Sequence, residues 1–163
     1  MIPWVFHWWP AETDIALKRE EFRDDRCVAD MDAAFDYLAG MDSVDENRIG
    51  TIGHCWGGRV SWLHACHNPN YKALITLYGG RIKLGMGDGA TPPMQMAGNI
   101  PCPVMGIFGD EDQNPSPEDV ADLDAALTDA GVPHEFHLYD GAGHGFQDFV
   151  NPEQYRERQV KDA

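Results

Sequence analysis

The stretch Arg48-Ile49-Gly50-Thr51-Ile52-Gly53-His54-Cys55-Trp56-Gly57-Gly58 decides the reading of this chain. Its first half is a short apolar run, read as a buried strand ending at Gly53. Its second half opens a run with helical spacing through Val60, Leu63 and Ala65 to about Cys66, before Asn68-Pro69. Between the two sits a G-x-C-x-G pattern. A cysteine on so tight a strand-to-helix turn has its sulfur held clear of the sheet and a backbone amide beside it at the N-terminus of the next helix. That is where a nucleophile is useful.

On the N-terminal side of this stretch, Val28, Met31, Phe35 and Leu38 recur at helical spacing, and Gly40 is a fitting stop. On the C-terminal side, residues 73–78 read as a second buried strand closed by Gly79-Gly80, and residues 102–108 as a third ended by Gly109. Ser116-Pro117-Glu118-Asp119 combines an N-cap serine, a first-turn proline and an acidic third position. It predicts a helix through Val120, Leu123 and Leu127 to Gly131. His134-Glu-Phe-His-Leu-Tyr139 alternates as a fourth strand does. Strand, helix, strand, loop, strand, helix, strand is the rhythm of an α/β fold, a parallel sheet flanked by helices. No repeat or linker divides the chain, so one domain over 1–163 is expected, with an aromatic N-terminal segment, 1–23, ahead of a core, 24–163. The segment from Lys83 to Pro101 is irregular. Its Met86, Met94 and Met96 either line a pocket or belong to a surface loop.

Composition narrows the function classes. At 163 residues and 43% hydrophobic, the chain has enough apolar material for a core of ordinary size. Twelve basic against 27 acidic side chains give a net charge of −15, which repels phosphate backbones and anionic lipid. Nucleic acid and membrane are therefore excluded as expected partners. The four cysteines, at 27, 55, 66 and 102, show neither C-x-x-C nor zinc spacing, which suits a reducing compartment. A cytoplasmic location follows as the expectation. Residues 1–10 have no basic n-region and no apolar run of signal-peptide character. Their tryptophans, Trp4, Trp8 and Trp9, are expected to cover the domain's own core, with an aromatic ligand wall or an exposed partner patch as the alternatives.

Open parallel sheets place their chemistry at the C-terminal ends of their strands. Cys55 follows the first strand, Asp110, Glu111 and Asp112 follow the third, and Gly141-Ala-Gly-His144-Gly-Phe146 follows the fourth. Nucleophile, acid, histidine is the chain order of the α/β-hydrolase triad. A thiol gains reactivity from a base within hydrogen-bond reach, and the base needs a carboxylate to fix its tautomer. Glycine-flanked His144 suits the base. Cys27, Cys66 and Cys102 read as small core residues, His64 and His67 as residues on a helix face, and His134 and His137 as strand residues. Residues 110–114 resemble part of a calcium loop but lack its sixth-position glycine and its twelfth-position glutamate, so no metal is expected.

These elements together resemble the dienelactone hydrolases (carboxymethylenebutenolidases). The matching features are Asp32-Ala33-Ala34 through Tyr37-Leu38, Arg48-Ile-Gly before Gly53-His-Cys55-Trp-Gly-Gly58, and Tyr78-Gly79. Ile100-Pro-Cys-Pro-Val104, Gly109-Asp-Glu-Asp112 and Gly143-His144-Gly-Phe146 continue them, over residues 24–155. The resemblance implies Cys55 as nucleophile, Asp112 as carboxylate and His144 as base, with the Trp56 N–H as one oxyanion donor. It implies no cofactor, and a reaction that opens a small ester or enol-lactone through a thioester. Tyr78 and Phe146 are then expected at the substrate.

The chain departs from the family in two respects. The family's chains begin well upstream, with several strands and a loop that supplies a second oxyanion amide, so a shortened α/β-hydrolase fold is expected. The strand ending at Gly53 would then have an open edge, and a homodimer or partner chain across it is expected. The arginine that follows the catalytic histidine in the family corresponds here to Asp148, an acid that would repel a substrate carboxylate. Arg81, after Tyr78-Gly79-Gly80, is the candidate replacement. The alternative function is a non-catalytic binding or interaction module that keeps the triad on a shortened scaffold.

Overall fold

A computed structural model describes residues 21–163; the predicted aromatic cover around Trp4, Trp8 and Trp9 lies outside them. Four parallel strands, β1 (Thr51–His54), β2 (Leu74–Leu77), β3 (Val104–Gly109) and β4 (His134–Tyr139), pair in chain order. Helix α1 (Asp24–Ala39) precedes β1, α2 (Trp56–Ala65) joins β1 to β2, α3 (Pro117–Ala130) joins β3 to β4, and α4 (Glu157–Asp162) closes the chain. The 3-10 segment Pro93–Asn99 lies between β2 and β3.

Each boundary has a local cause. The Ser116 side chain accepts from the Asp119 N–H and the Asp119 carboxylate accepts from the Ser116 N–H, which closes a capping box at the start of α3. Gly131 ends that helix in the left-handed region, φ 69°, which glycine enters without a Cβ penalty. Gly40 caps α1 by donating to the Asp36 carbonyl at 3.0 Å, and the Met41 N–H donates to that of Leu38.

The core has two sides because strand side chains alternate. Leu74 and Val104 share one cluster with Phe35 of α1, Trp62 and Ala65 of α2, and Leu123 and Leu127 of α3. Burying each of the leucine, valine and phenylalanine side chains among these contributes about 1.5–3 kcal/mol. Leu77 and Ile107 form the other cluster with Tyr78, Ala142 and Phe146, against which Val160 of α4 packs. The second face is thinly covered. The registered row Ile52, Ile75, Met105 crosses it, with Ile52 61% exposed. The expectation of a buried first strand is corrected accordingly, since β1 is buried on alternate residues only. Among the described residues it pairs with β2 alone. Leu38 is also solvent-facing, because α1 reaches the core chiefly through Phe35.

Candidate active site

The turn after β1 carries the site. Cys55 stands at φ 54°, ψ −117°, a conformation that costs a non-glycine residue about 1–3 kcal/mol and persists only where the surroundings impose it. They do so here. The Cys55 N–H donates to the Leu77 carbonyl at 2.9 Å, and the Cys55 carbonyl accepts from Gly58 and Arg59. A Cβ on Gly53 would overlap the Gly57 peptide, and one on Gly58 would lie 2.8 Å from both Gly79 Cα and Thr76 Oγ1. The glycines thus let the turn and α2 press against β2.

Two other strand ends converge on the cysteine. His144 Nε2 is 2.9 Å from Cys55 Sγ, and His144 Nδ1 is 2.8 Å from Asp112 Oδ2. Asp112 is buried, and its second oxygen accepts from the Asn114 N–H at 2.8 Å, so both carboxylate oxygens are satisfied. The Asp112 contact, followed by that of Cys55, outweighs partial burial and raises the His144 pKa to about 9. The direction of that shift favours the protonated imidazole. Cys55 is exposed, whereas burial pushes the Cys27 thiol up to about 11, that of Cys66 to about 12, and that of Cys102 upward. Trp56 is the first residue of α2, where helix geometry leaves the N–H without an intrahelical acceptor.

Of the three acids after β3, Asp112 alone meets the histidine. Asp110 accepts from the Gly141 N–H and braces the turn below His144, and Glu111 is exposed. Tyr78, at φ 39°, sets its ring 5.3 Å from that of His144 and 6.0 Å from that of His54. Burial, then the charges of Cys55 and Asp148, push its phenol up to about 12. Phe146 corrects the expectation of a substrate-facing side chain. It is fully buried and packs beneath Tyr78 and Tyr139, because the turn after β4 folds it back onto Ile107 and Leu77. Arg81 is half-buried on the loop after β2 and lines a 160 Å³ cavity with Asn114 and Leu123. Met86 and Met96 line a separate cavity of 380 Å³ beside Asp24.

Sequence reading missed Arg59. Its side chain is fully buried, one helical turn after Cys55, in a two-pronged pair with Asp24 at 2.7 and 3.1 Å. It also missed the buried His64, whose ring nitrogens meet Tyr71 Oη at 2.8 Å and Asp32 at 2.9 Å. Four positions separate Cys55 from Arg59, one helical turn, and that spacing was the available signal for the first. Among the described residues no cluster of side chains is arranged to hold a metal ion, and no helix is long and apolar enough to cross a membrane.

The dienelactone hydrolase family matches residues 10–163. A protein of Methylorubrum extorquens provisionally named carboxymethylenebutenolidase is 34% identical over 142 residues, 86% of this chain and 48% of its own length. The carboxymethylenebutenolidase of Rhodococcus opacus is 30% identical over 90% of this chain and 58% of its own. The crystal structure of a provisionally named dienelactone hydrolase from Klebsiella pneumoniae superposes with a TM-score of 0.79 at 31% identity. It covers 92% of this chain, which spans 63% of that one. The chain thus spans about half the length of the curated relatives it matches.

Proposed function

Because the chain belongs to the dienelactone hydrolase family, we propose that it hydrolyses small esters or enol-lactones through a thioester formed on Cys55. The observation that carries this reading is the His144 ring, seated between Cys55 Sγ at 2.9 Å and Asp112 at 2.8 Å.

The steps follow from those contacts. The sulfur, its proton held by His144, attacks the carbonyl carbon, and the carbonyl oxygen takes up negative charge beside the Trp56 N–H. One such donor is worth about 3 kcal/mol of barrier. As the tetrahedral adduct collapses, the C–O bond breaks and His144 gives its proton to the departing alcohol or enol oxygen. Water then attacks the thioester carbonyl and passes a proton to His144, and collapse of this second adduct breaks the C–S bond, releasing the carboxylic acid and leaving the sulfur with its proton again held by His144. Asp112 keeps the imidazole in the tautomer that each transfer needs and offsets its charge.

On this reading Tyr78 borders the acyl site, Phe146 supports it from below, and Arg81 offers a charge to an anionic part of the substrate. Asp148, whose charge is felt at Tyr78, opposes a carboxylate on that side. Four free cysteines accord with a reducing, cytoplasmic setting. The edge of β1 away from β2 is taken by a second copy or another chain, and light scattering from a stable monomer at micromolar concentration would contradict that part.

Turnover of p-nitrophenyl acetate by the wild type against a Cys55→Ala variant tests the activity. Loss of at least about a thousandfold is expected. A wild type no faster than the variant would favour the alternative of a binding scaffold.

A further inference from the structure

The contacts of the site form a closed circuit. Cys55 meets His144, His144 meets Asp112, and the Asn114 N–H donates to the other Asp112 oxygen. The circuit returns through a loop residue. Asn114 Oδ1 accepts from the Arg81 N–H at 3.1 Å, the Arg81 carbonyl accepts from Arg59 Nε at 3.3 Å, and the Arg59 N–H donates to the Cys55 carbonyl at 3.3 Å. Arg81 is thus gripped on its N–H by the acid loop and on its carbonyl by the nucleophile helix. Its φ of 55° lies in the left-handed region, which a side-chain-bearing residue holds only when both neighbours fix it.

Arg59 is suited to such a grip. Its guanidinium, fully buried, donates twice to Asp24 and, through Nη2, to the Leu84 carbonyl at 2.8 Å. Asp24 in turn accepts from the Met86 N–H at 2.8 Å. One planar fork therefore reaches two carbonyls of the segment that follows β2 and, through Asp24 of α1, a third point at Met86, and a lysine ammonium, a point donor, cannot span them. A buried ion pair contributes little net stability once its desolvation is counted. Its distinguishing property here is where it stands, one turn behind the nucleophile.

We propose that Arg59 and Asn114 are positioning residues for the triad, holding the Arg81 peptide between the nucleophile helix and the acid loop so that Asp112 and His144 stay in register with Cys55. This rests on the triad reading given above. Gly80 adds to the closeness of the join, since a Cβ there would lie 2.7 Å from the Asn114 carbonyl.

The test uses Arg59→Lys, Asn114→Ala and the double variant in the full chain, each checked for cooperative thermal unfolding. Each single change is expected to lower kcat for p-nitrophenyl acetate about tenfold with KM within about twofold. The double variant should be no slower than the slower single, because both cut one circuit and such effects do not multiply. The NMR titration midpoint of His144 should fall in all three by about half a pH unit, a shift that a purely structural contact would not produce. Exposed Asn114 carries the experiment if Arg59→Lys does not fold. Unchanged kcat and an unchanged midpoint in a folded variant, or losses that multiply in the double variant, would overturn the proposal. A wild type without ester turnover would instead sink the triad reading, and the NMR arm would still decide the circuit.

Discussion

The Tyr78 ring meets the His144 imidazole edge to face, 5.3 Å between centroids at 67°, and rests in turn on Phe146 at 5.7 Å. His144 is therefore backed by an aromatic stack whose foot is fully buried. This limits how far His144 can swing away from Cys55, although glycines flank it on both sides.

Removing the foot of that stack should cost the fold first. Phe146→Ala is expected to destabilise the protein by about 3–5 kcal/mol, the usual cost of deleting a buried aromatic ring. Urea denaturation measures it. A loss below about 1 kcal/mol would mean that Phe146 is not the support described.

The four thiols should separate cleanly. Cys55 is exposed, 2.9 Å from the His144 imidazole, while burial pushes the Cys27 thiol up to about 11 and that of Cys66 up to about 12. Iodoacetamide at pH 7, followed by peptide mapping, should label Cys55 at least about a hundredfold faster than the others, since the thiolate is the attacking form. Equal labelling of all four would contradict the account.

Asp112→Asn tests the cause of the His144 shift. The hydrogen bond to the Asp112 carboxylate is the leading cause that raises the His144 pKa from its ordinary 6.5 to about 9. Its loss should lower the NMR midpoint and reduce kcat by roughly a thousandfold or more, the scale seen when a triad acid is neutralised. A midpoint that stays near 9 would shift the cause to Cys55.

The same shift links stability to pH. The folded value of His144 lies above its unfolded value, so protonation favours the folded state. The contribution is full below about pH 6.5 and fades as pH rises through about 9. The difference in unfolding free energy between wild type and His144→Gln should follow that course. A difference that grows with pH would have the opposite sign to the one predicted.

Much of this arrangement is legible in the sequence where its cause is local. Ser116, Pro117 and Asp119 announce α3 because a capping box is a contact across three residues, and Gly40 and Gly131 mark their helix ends for similar reasons. Cys55 stands out because two glycines permit its turn. The order of acid and histidine after it comes from the sheet, since parallel strands bring their C-terminal ends together. Contacts made at long range leave no such trace. Asp24 and Arg59 are 35 positions apart, and neither carries a local sign of the other, yet they meet inside the protein. His64 reads as a helix-face residue for the same reason, and its partners lie on two different segments. Ile52 fails in the other direction. An apolar residue in a strand is expected to be covered, and its exposure follows from its place on the thinly covered second face, which one strand's sequence cannot reveal.

The turn glycines carry a further expectation. Gly58→Ala would bring a Cβ to 2.8 Å from Gly79 Cα, backbone that cannot step aside. Overpacking of this kind costs about 1–3 kcal/mol, and α2 should withdraw from β2. Lowered melting temperature together with lost ester turnover would bear this out, whereas a variant with wild-type stability and rate would contradict it.

The central claim is that Cys55 carries the acyl group. Its most direct test is acid quenching of the wild type during turnover of p-nitrophenyl acetate, followed by peptide mass spectrometry. The account predicts an acetyl group on the peptide containing Cys55, absent from Cys55→Ala and accumulating when Asp112→Asn slows the release step. Ester hydrolysis that proceeds equally in Cys55→Ala, with no acetyl group on Cys55 of the wild type, would contradict it.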